Sequence, residues 1–379
     1  MCRKKGDYRV VVYAICKNEE AFARRWMDSM READEVVVLD TGSTDKSVEI
    51  LRECGARVEI ETIEPWRFDA ARNRSLALVD DDAEICVCTD LDEVLHAGWR
   101  EAVERAWTRG ANRLRYRYTW SFNADGGEDV VFFTDKIHGR HGFCWVNPVH
   151  EVLKCNGEER IRTADGVQLD HLADPKKSRA QYLPLLELAV REDPENDRNV
   201  HYLAREYYFR NDDERAIVMF QRHLSMKSAA WRDERCASMR YLAAIFARRG
   251  DEKARETWLL RAIAEAPHLR EPWLDAARAA YGKREWDAVA VLCNRALLIR
   301  ERPATYITQA ECYGALPHDL LSLAYYHTGR LKEAAAQAKL ALEYSPNDAR
   351  IAGNLSLFEK AEKVKTRRGE ANGKGENNG

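Results

Sequence analysis

Ile85-Cys86-Val87-Cys88-Thr89-Asp90-Leu91-Asp92-Glu93 is an apolar run that ends abruptly in three carboxylates. In an extended backbone alternate side chains share a face, so this spacing predicts that Asp90 and Asp92 project to the same side. Two carboxylates at the end of a buried strand suit a hard divalent cation, Mg²⁺ or Mn²⁺, which takes its other ligands from water and phosphate oxygens. Ligands of open α/β sheets collect at that end of the strands. An Asp-x-Asp alone also occurs in turns and helix caps, so the stretches upstream decide its meaning.

Working back from this stretch, Arg9 to Cys16 is a continuous apolar run rich in β-branched residues, the pattern of a strand buried on both faces. It stops at Lys17-Asn18-Glu19-Glu20, and Phe22, Trp26 and Met30 follow at helical spacing. A second apolar run, Val36 to Leu39, ends in Asp40-Thr41-Gly42-Ser43-Thr44-Asp45 before another helix near Lys46. Arg57 to Ile60 is a short third strand, and Phe68 to Leu78 is a helix carrying Asp69, Arg72, Asn73 and Arg74. Strand, polar turn and helix thus recur as βαβ units, with polar residues at one edge of the sheet. Free amides after Asp40 suit an anion or a hydroxyl-rich ligand, while Asp45 is better placed to cap a helix.

Four segments together, Ala14-Ile15-Cys16-Lys17-Asn18-Glu19-Glu20, Asp40-Thr41-Gly42-Ser43-Thr44-Asp45, Ala71-Arg72-Asn73 and Asp90-Leu91-Asp92-Glu93, resemble the family 2 glycosyltransferases. The resemblance implies a GT-A nucleotide-sugar domain. It is nearer to a subgroup that often carries tetratricopeptide repeats and includes enzymes glycosylating cysteine or serine of bacteriocin-like peptides. It implies that Ala14, Ile15 and Cys16 line the base pocket and Asp40 contacts base or ribose. Arg72 would lie near the diphosphate, and Asn18, Glu19 and Leu91 would join the donor-binding set. Asp92 would bind metal, while Asp90 would contact ribose or a metal-bound water. The implied cofactors are Mn²⁺ or Mg²⁺ and a nucleotide-sugar, a UDP-sugar above others.

Beyond the carboxylates, Leu114, Tyr116, Tyr118 and Trp120 alternate with Arg113, Arg115, Arg117 and Thr119. This is a half-exposed strand, and Gly126-Gly127 leads it into a hairpin with Val130 to Phe133. Cys144 to Glu151 holds an aromatic, a proline and a His-Glu pair suited to a pocket, and a second histidine follows in Leu169-Asp170-His171. Either His150 or His171 is a candidate third metal ligand. An acceptor must lose a proton as it attacks, and a carboxylate opposite the diphosphate would serve as base with inversion. Glu151 is the first candidate and Asp135 the second.

From Ser178 onward helical periodicity replaces strand signals, with turns near 211, 250, 282 and 329 and an interruption from Glu301 to Pro317. Such pairs bury their apolar faces against neighbours and stack as a tetratricopeptide-like solenoid. The expected division is a GT-A domain over 8–175, repeats over 176–362 and a disordered tail over 363–379. The repeats would hold an acceptor peptide, protein or other macromolecule, or a second protomer.

The composition fits this reading. In 379 residues 45% are hydrophobic and 32% charged, and the net charge of −3 gives no pull toward nucleic acid or membrane. No apolar run is long enough for a membrane span, and ten scattered cysteines with no Cys-x-x-Cys suggest structural thiols in a reducing cytoplasm. The expected protein is a metal-dependent glycosyltransferase. Its rivals are transfer to a glycan or a hydroxymethylated nucleic-acid base, a nucleotidyltransferase, and a non-catalytic repeat adaptor. Lys17-Asn18-Glu19-Glu20 is not the glycine-rich phosphate loop a nucleotidyltransferase needs, and the intact Asp90/Asp92 pair counts against an adaptor.

Overall fold

The computed structural model describes residues 8–108, 110–123, 126–172 and 181–375. The chain divides into two compact units, Met1–Asn199 with Ala304–Tyr306, and Val200–Pro303 with Ile307–Gly379.

The first unit follows the predicted alternation: β1 (Val10–Cys16), α1 (Glu20–Ser29), β2 (Glu35–Asp40), α2 (Ser47–Glu53), β3 (Arg57–Ile60), α3 (Phe68–Ala77) and β4 (Ile85–Cys88). There follow β5 (Glu93–Leu95), α4 (Trp99–Ala106), β6 (Arg113–Thr119), β7 (Val131–Gly139), β8 (Phe143–Val146), β9 (Val152–Cys155), β10 (Ile161–His171) and α5 (Tyr182–Glu192). The main sheet has the order β3-β2-β1-β4-β7-β6-β10-β5, and β8 pairs with β9 apart from it. Strands β3, β2, β1 and β4 are parallel, and β7 enters antiparallel beside β4.

Alternation along the central strands builds two cores. Val10, Val12 and Ala14 of β1 pack with Ile85 and Val87 of β4 on the side of Ala23 and Trp26 from α1. Val11, Tyr13, Cys86 and Cys88 face the other way, toward Leu76 of α3 and Trp145 of β8. The thiols of Cys86 and Cys88 are therefore packing groups, and burial pushes the Cys88 thiol up to about 11. No described cysteine forms a disulfide. The predicted hairpin forms from β6 and β7. Its arginine row is not a bare solvated face: Arg113 is paired with Asp135 and Glu159, and Arg117 with Glu128.

The second unit is helical. Helix α6 (Asp197–Phe209) crosses the division, and α7 (Asp213–Ser225), α8 (Arg232–Arg248), α9 (Glu252–Glu265), α10 (Glu271–Gly282) and α11 (Trp286–Leu297) follow. A 3-10 turn at Ala310–Tyr313 then precedes α12 (Ala315–His327), α13 (Leu331–Tyr344) and α14 (Ala349–Gly375). Asp212 and Asp251 cap α7 and α9 by accepting the amides of Arg215 and Ala254. Alanines at the helix contacts, among them Ala277, Ala290, Ala324 and Ala338, let neighbouring pairs stack as tetratricopeptide-like repeats. Among the described residues no helix is long and apolar enough to cross a membrane.

Three expectations shift. Helix α5 clusters with the sheet unit, because Tyr182 meets the Phe68 ring and Glu192 pairs with Arg67. The expected boundary at 175 and the helix start at Ser178 lie outside the described residues. The turn near 282 is made by Arg284, at φ 60°, rather than by Gly282, which ends α10. The expected tail from 363 is helical to Gly375, since Glu359 to Arg368 is almost wholly strong helix formers and Lys365 donates to the Gly329 carbonyl at 3.0 Å.

Candidate active site

The site forms where β1, β2 and β4 end. Strand β4 stops at Cys88, and Asp90 to Asp92 lie in a turn rather than on extended chain. The turn is closed by the Glu93 carboxylate, which accepts the Asp90 amide at 2.8 Å. Within this turn Asp90 and Asp92 take different partners.

Asp90 faces cations. Arg72 donates Nη2 to Asp90 at 2.7 Å and Nε to Glu151 at 2.5 Å. Its guanidinium also lies 5.2 Å from the Trp145 ring. Burial opposes the charge of Arg72, but Asp90 and Glu151 raise it above its ordinary value. Lys136 of β7 lies 3.5 Å from Asp90 and 3.3 Å from Glu93. Burial lifts the Glu93 carboxyl while Lys136 opposes that rise, and Tyr118 donates to Glu93 at 2.6 Å.

Asp92 faces a histidine. Pairing of β10 with β5 sets His171 beside Glu93, which brings its Nε2 to 3.6 Å from the Asp92 carboxylate. The Nδ1 of His171 donates to the Trp120 carbonyl at 3.0 Å. In the neutral ring the Nε2 lone pair is then the one turned toward Asp92, the tautomer a metal-ligating histidine requires. Among the described residues, the carboxylates of Asp90, Asp92, Glu93 and Glu151 gather here with Arg72, Lys136 and His171. A carboxylate and an imidazole nitrogen turned toward one another are groups that could hold a divalent cation, and Asp92 and His171 offer that pair.

The loops after β1 and β2 are locked together. Asp40 accepts the amides of Gly42 and Ser43 at 3.0 and 2.9 Å through Oδ1, and its Oδ2 meets the Ser43 hydroxyl. Gly42 supplies the φ of +104° that this turn needs. Asn18 accepts the Thr44 amide at 2.7 Å, and the Cys16 carbonyl accepts the Thr41 amide at 2.8 Å. Asp45 caps two helices by accepting the amides of Ser47 and Glu20. Ala14 gives its carbonyl to Ser75, Glu19 donates its amide to Ser47, Leu91 is buried in the core, and Ile15 is half-buried.

Two candidates lie elsewhere. Asp135 pairs with Arg113, on the face of β6 opposite Tyr118, whereas Lys136 turns to the Tyr118 side. The strand pleat thus takes Asp135 away from the Asp90 cluster. His150, at φ 49°, packs its ring 5.9 Å from Tyr182 of α5, while His171 takes the place beside Asp92. Sequence reasoning missed Lys136 and Trp120 as a neighbour of His171, whereas Trp145, the aromatic it set in a pocket-forming segment, lies against Arg72. Lys136 carries no local signal, and only the pairing of Val87 with Ile137 places it there.

A family model described as glycosyl transferase family 2 matches residues 11–126. That segment, less than half of the chain, is similar to the family 2 glycosyltransferases. Lipopolysaccharide core biosynthesis glycosyltransferase LpsC of Rhizobium meliloti (strain 1021) is 32% identical over 92 residues, covering 24% of this chain and 33% of that protein. The chain thus spans about a third of the length of the curated relative it matches. Among solved structures, glucosyl-3-phosphoglycerate synthase from Mycobacterium tuberculosis, in complex with Mn²⁺, UDP and phosphoglyceric acid, is 26% identical with a TM-score of 0.25, over 30% of this chain and 44% of that one. YrrB, a TPR protein with an unusual peptide-binding site, is 14% identical with a TM-score of 0.38, over 47% of this chain and 84% of that one. The matched segment contains Arg72, Asp90, Asp92 and Glu93, while Lys136, Glu151 and His171 follow it.

Proposed function

We propose that this protein transfers a sugar from a nucleotide-sugar, a UDP-sugar above others, to an acceptor nucleophile. The observation that carries the reading is the pairing of Asp92 with His171 next to the Arg72–Asp90–Lys136 cluster, in a domain matched to family 2. Asp92 and His171 would hold Mn²⁺ or Mg²⁺, which when bound supplies positive charge for the departing diphosphate. Arg72 and Lys136 would add fixed charge on the same group without reorganising during the reaction. Asp40 acts by shaping the loop against which base and ribose lie, with Asn18 and the backbone of Ala14, Ile15 and Cys16.

Glu151 is the candidate base. Arg72 holds it, and a diphosphate taking over Arg72 would free it to accept the acceptor's proton. Inversion follows if that carboxylate meets the sugar from the side opposite the diphosphate. The helical repeats favour a peptide or protein acceptor, because stacked pairs offer an extended surface. A glycan acceptor is the second reading, favoured by the name of the LpsC relative. Hydrolysis of a panel of nucleotide-sugars by the full chain, with and without Mn²⁺, tests the function. Metal-dependent turnover of one donor is expected, and no turnover or binding of any donor would reject it.

A further inference from the structure

Trp120 lies immediately after β6, and its place is dictated by the sheet. Strand β10 runs parallel to β6 with Asp170 beside Thr119, so the next residues, His171 and Trp120, are neighbours. The Trp120 amide donates to the Val130 carbonyl at 2.8 Å, which ties the residue to the β6–β7 hairpin. Its indole lies flat on the imidazole of His171, with centroids 4.3 Å apart and planes inclined by 17°. Its own carbonyl accepts the Nδ1 hydrogen of that imidazole at 3.0 Å. The indole remains 40% exposed, although a tryptophan gains most by complete burial.

From these contacts we infer that Trp120 is a positioning residue that presets His171 for metal binding. The inference rests on the reading of Asp92 and His171 as the metal-holding pair. The carbonyl fixes which nitrogen carries the hydrogen, and the indole blocks rotation of the ring out of the plane in which Nε2 faces Asp92. A ligand held in one rotamer and one tautomer loses less freedom when the metal arrives. Such an outer contact is ordinarily worth about tenfold or more in metal affinity. Substituting the side chain leaves the carbonyl in place, so it isolates the contribution of the stack.

The test uses the full chain and Mn²⁺ alone, without nucleotide, with free Mn²⁺ read by electron paramagnetic resonance. Trp120→Ala is expected to weaken Mn²⁺ binding about tenfold, and Trp120→Phe, which keeps a stacking ring, to stay within about twofold of the wild type. Asp92→Asn and His171→Ala are run alongside. If those two lose Mn²⁺ and Trp120→Ala binds like the wild type, the inference is overturned while the metal site stands. If Asp92→Asn also binds like the wild type, the underlying site has been misread and the inference falls with it. A nitrogen-15 spectrum of unsubstituted protein, at a pH where His171 is neutral, gives a check independent of any variant. The hydrogen must sit on Nδ1, and its appearance on Nε2 would refute the positioning role.

Discussion

The Nε of Arg72 lies 2.5 Å from Oε1 of Glu151, so the arginine assigned to the diphosphate is already occupied by a carboxylate of the same chain. A diphosphate must compete with that carboxylate. Glu151→Gln should therefore tighten UDP binding in the presence of Mn²⁺, by roughly threefold to tenfold, the excess of a charge-assisted hydrogen bond over the neutral one that glutamine keeps. Isothermal titration of the variant reads the sign directly. Weaker binding would mean that Glu151 serves to hold Arg72 in place rather than to be displaced.

The second expectation concerns the Asp40 turn. Its carboxylate satisfies two backbone amides and a hydroxyl within its own loop, and it is 1% exposed. Asp40→Ala should cost about 1–3 kcal/mol of stability, because the half-buried amides of Gly42 and Ser43 lose their acceptor. Loss of nucleotide affinity should accompany a lowered unfolding midpoint. Weakened binding at unchanged stability would instead favour direct contact between Asp40 and the nucleotide.

A buried histidine sets a pH dependence of stability. His138 is fully buried, its Nδ1 donates to the Gly139 carbonyl at 2.8 Å, and its Nε2 accepts from the Tyr13 hydroxyl at 2.7 Å. Burial first, then Arg113 and Arg140, pushes its pKa down to about 3. The unfolded chain binds a proton near 6.5 that the folded chain refuses, so this contribution is whole above that pH and is lost as pH falls toward 3. Between pH 7 and 5 it amounts to about 2 kcal/mol. Urea unfolding of His138→Gln should show a pH slope shallower by about one proton than the wild type, and an unchanged slope would contradict the assignment.

Helix α5 gives a prediction about truncation. Its Tyr182 covers Phe68 and its Glu192 pairs with Arg67, both at the start of the helix that carries Arg72. A chain ended at Pro175 strips this cover, whereas one ended at Asn199 keeps it. The longer piece should show the higher thermal midpoint and retain Mn²⁺-dependent UDP binding. Equal behaviour of the two pieces would show that α5 does not support the site.

Much of this fold was legible because the first four strands announce themselves by apolar runs and polar stops, and a parallel sheet buries such runs on both faces. The strand ends near Cys16, Asp40 and Cys88 stand where the pattern placed them. The site was legible only in part. Asp92 and Arg72 sit in quotable motifs, but their partners come from far along the chain through strand pairing: His171 through β5 and β10, and Lys136 through β4 and β7. Which histidine reaches Asp92 depends on register, which no local pattern encodes. Asp135 was a plausible base by residue type alone, and the pleat of β7 turned it to Arg113.

Metal-dependent nucleotide binding at Asp92 is the central claim, and titration of UDP into the full chain with and without Mn²⁺ tests it most directly. The wild type should bind UDP at least tenfold more tightly with Mn²⁺, a coupling of about 1.4 kcal/mol or more. Asp92→Asn, nearly the same in shape but without the charge, should bind UDP equally with and without the metal. Undiminished Mn²⁺ dependence in Asp92→Asn would contradict the account.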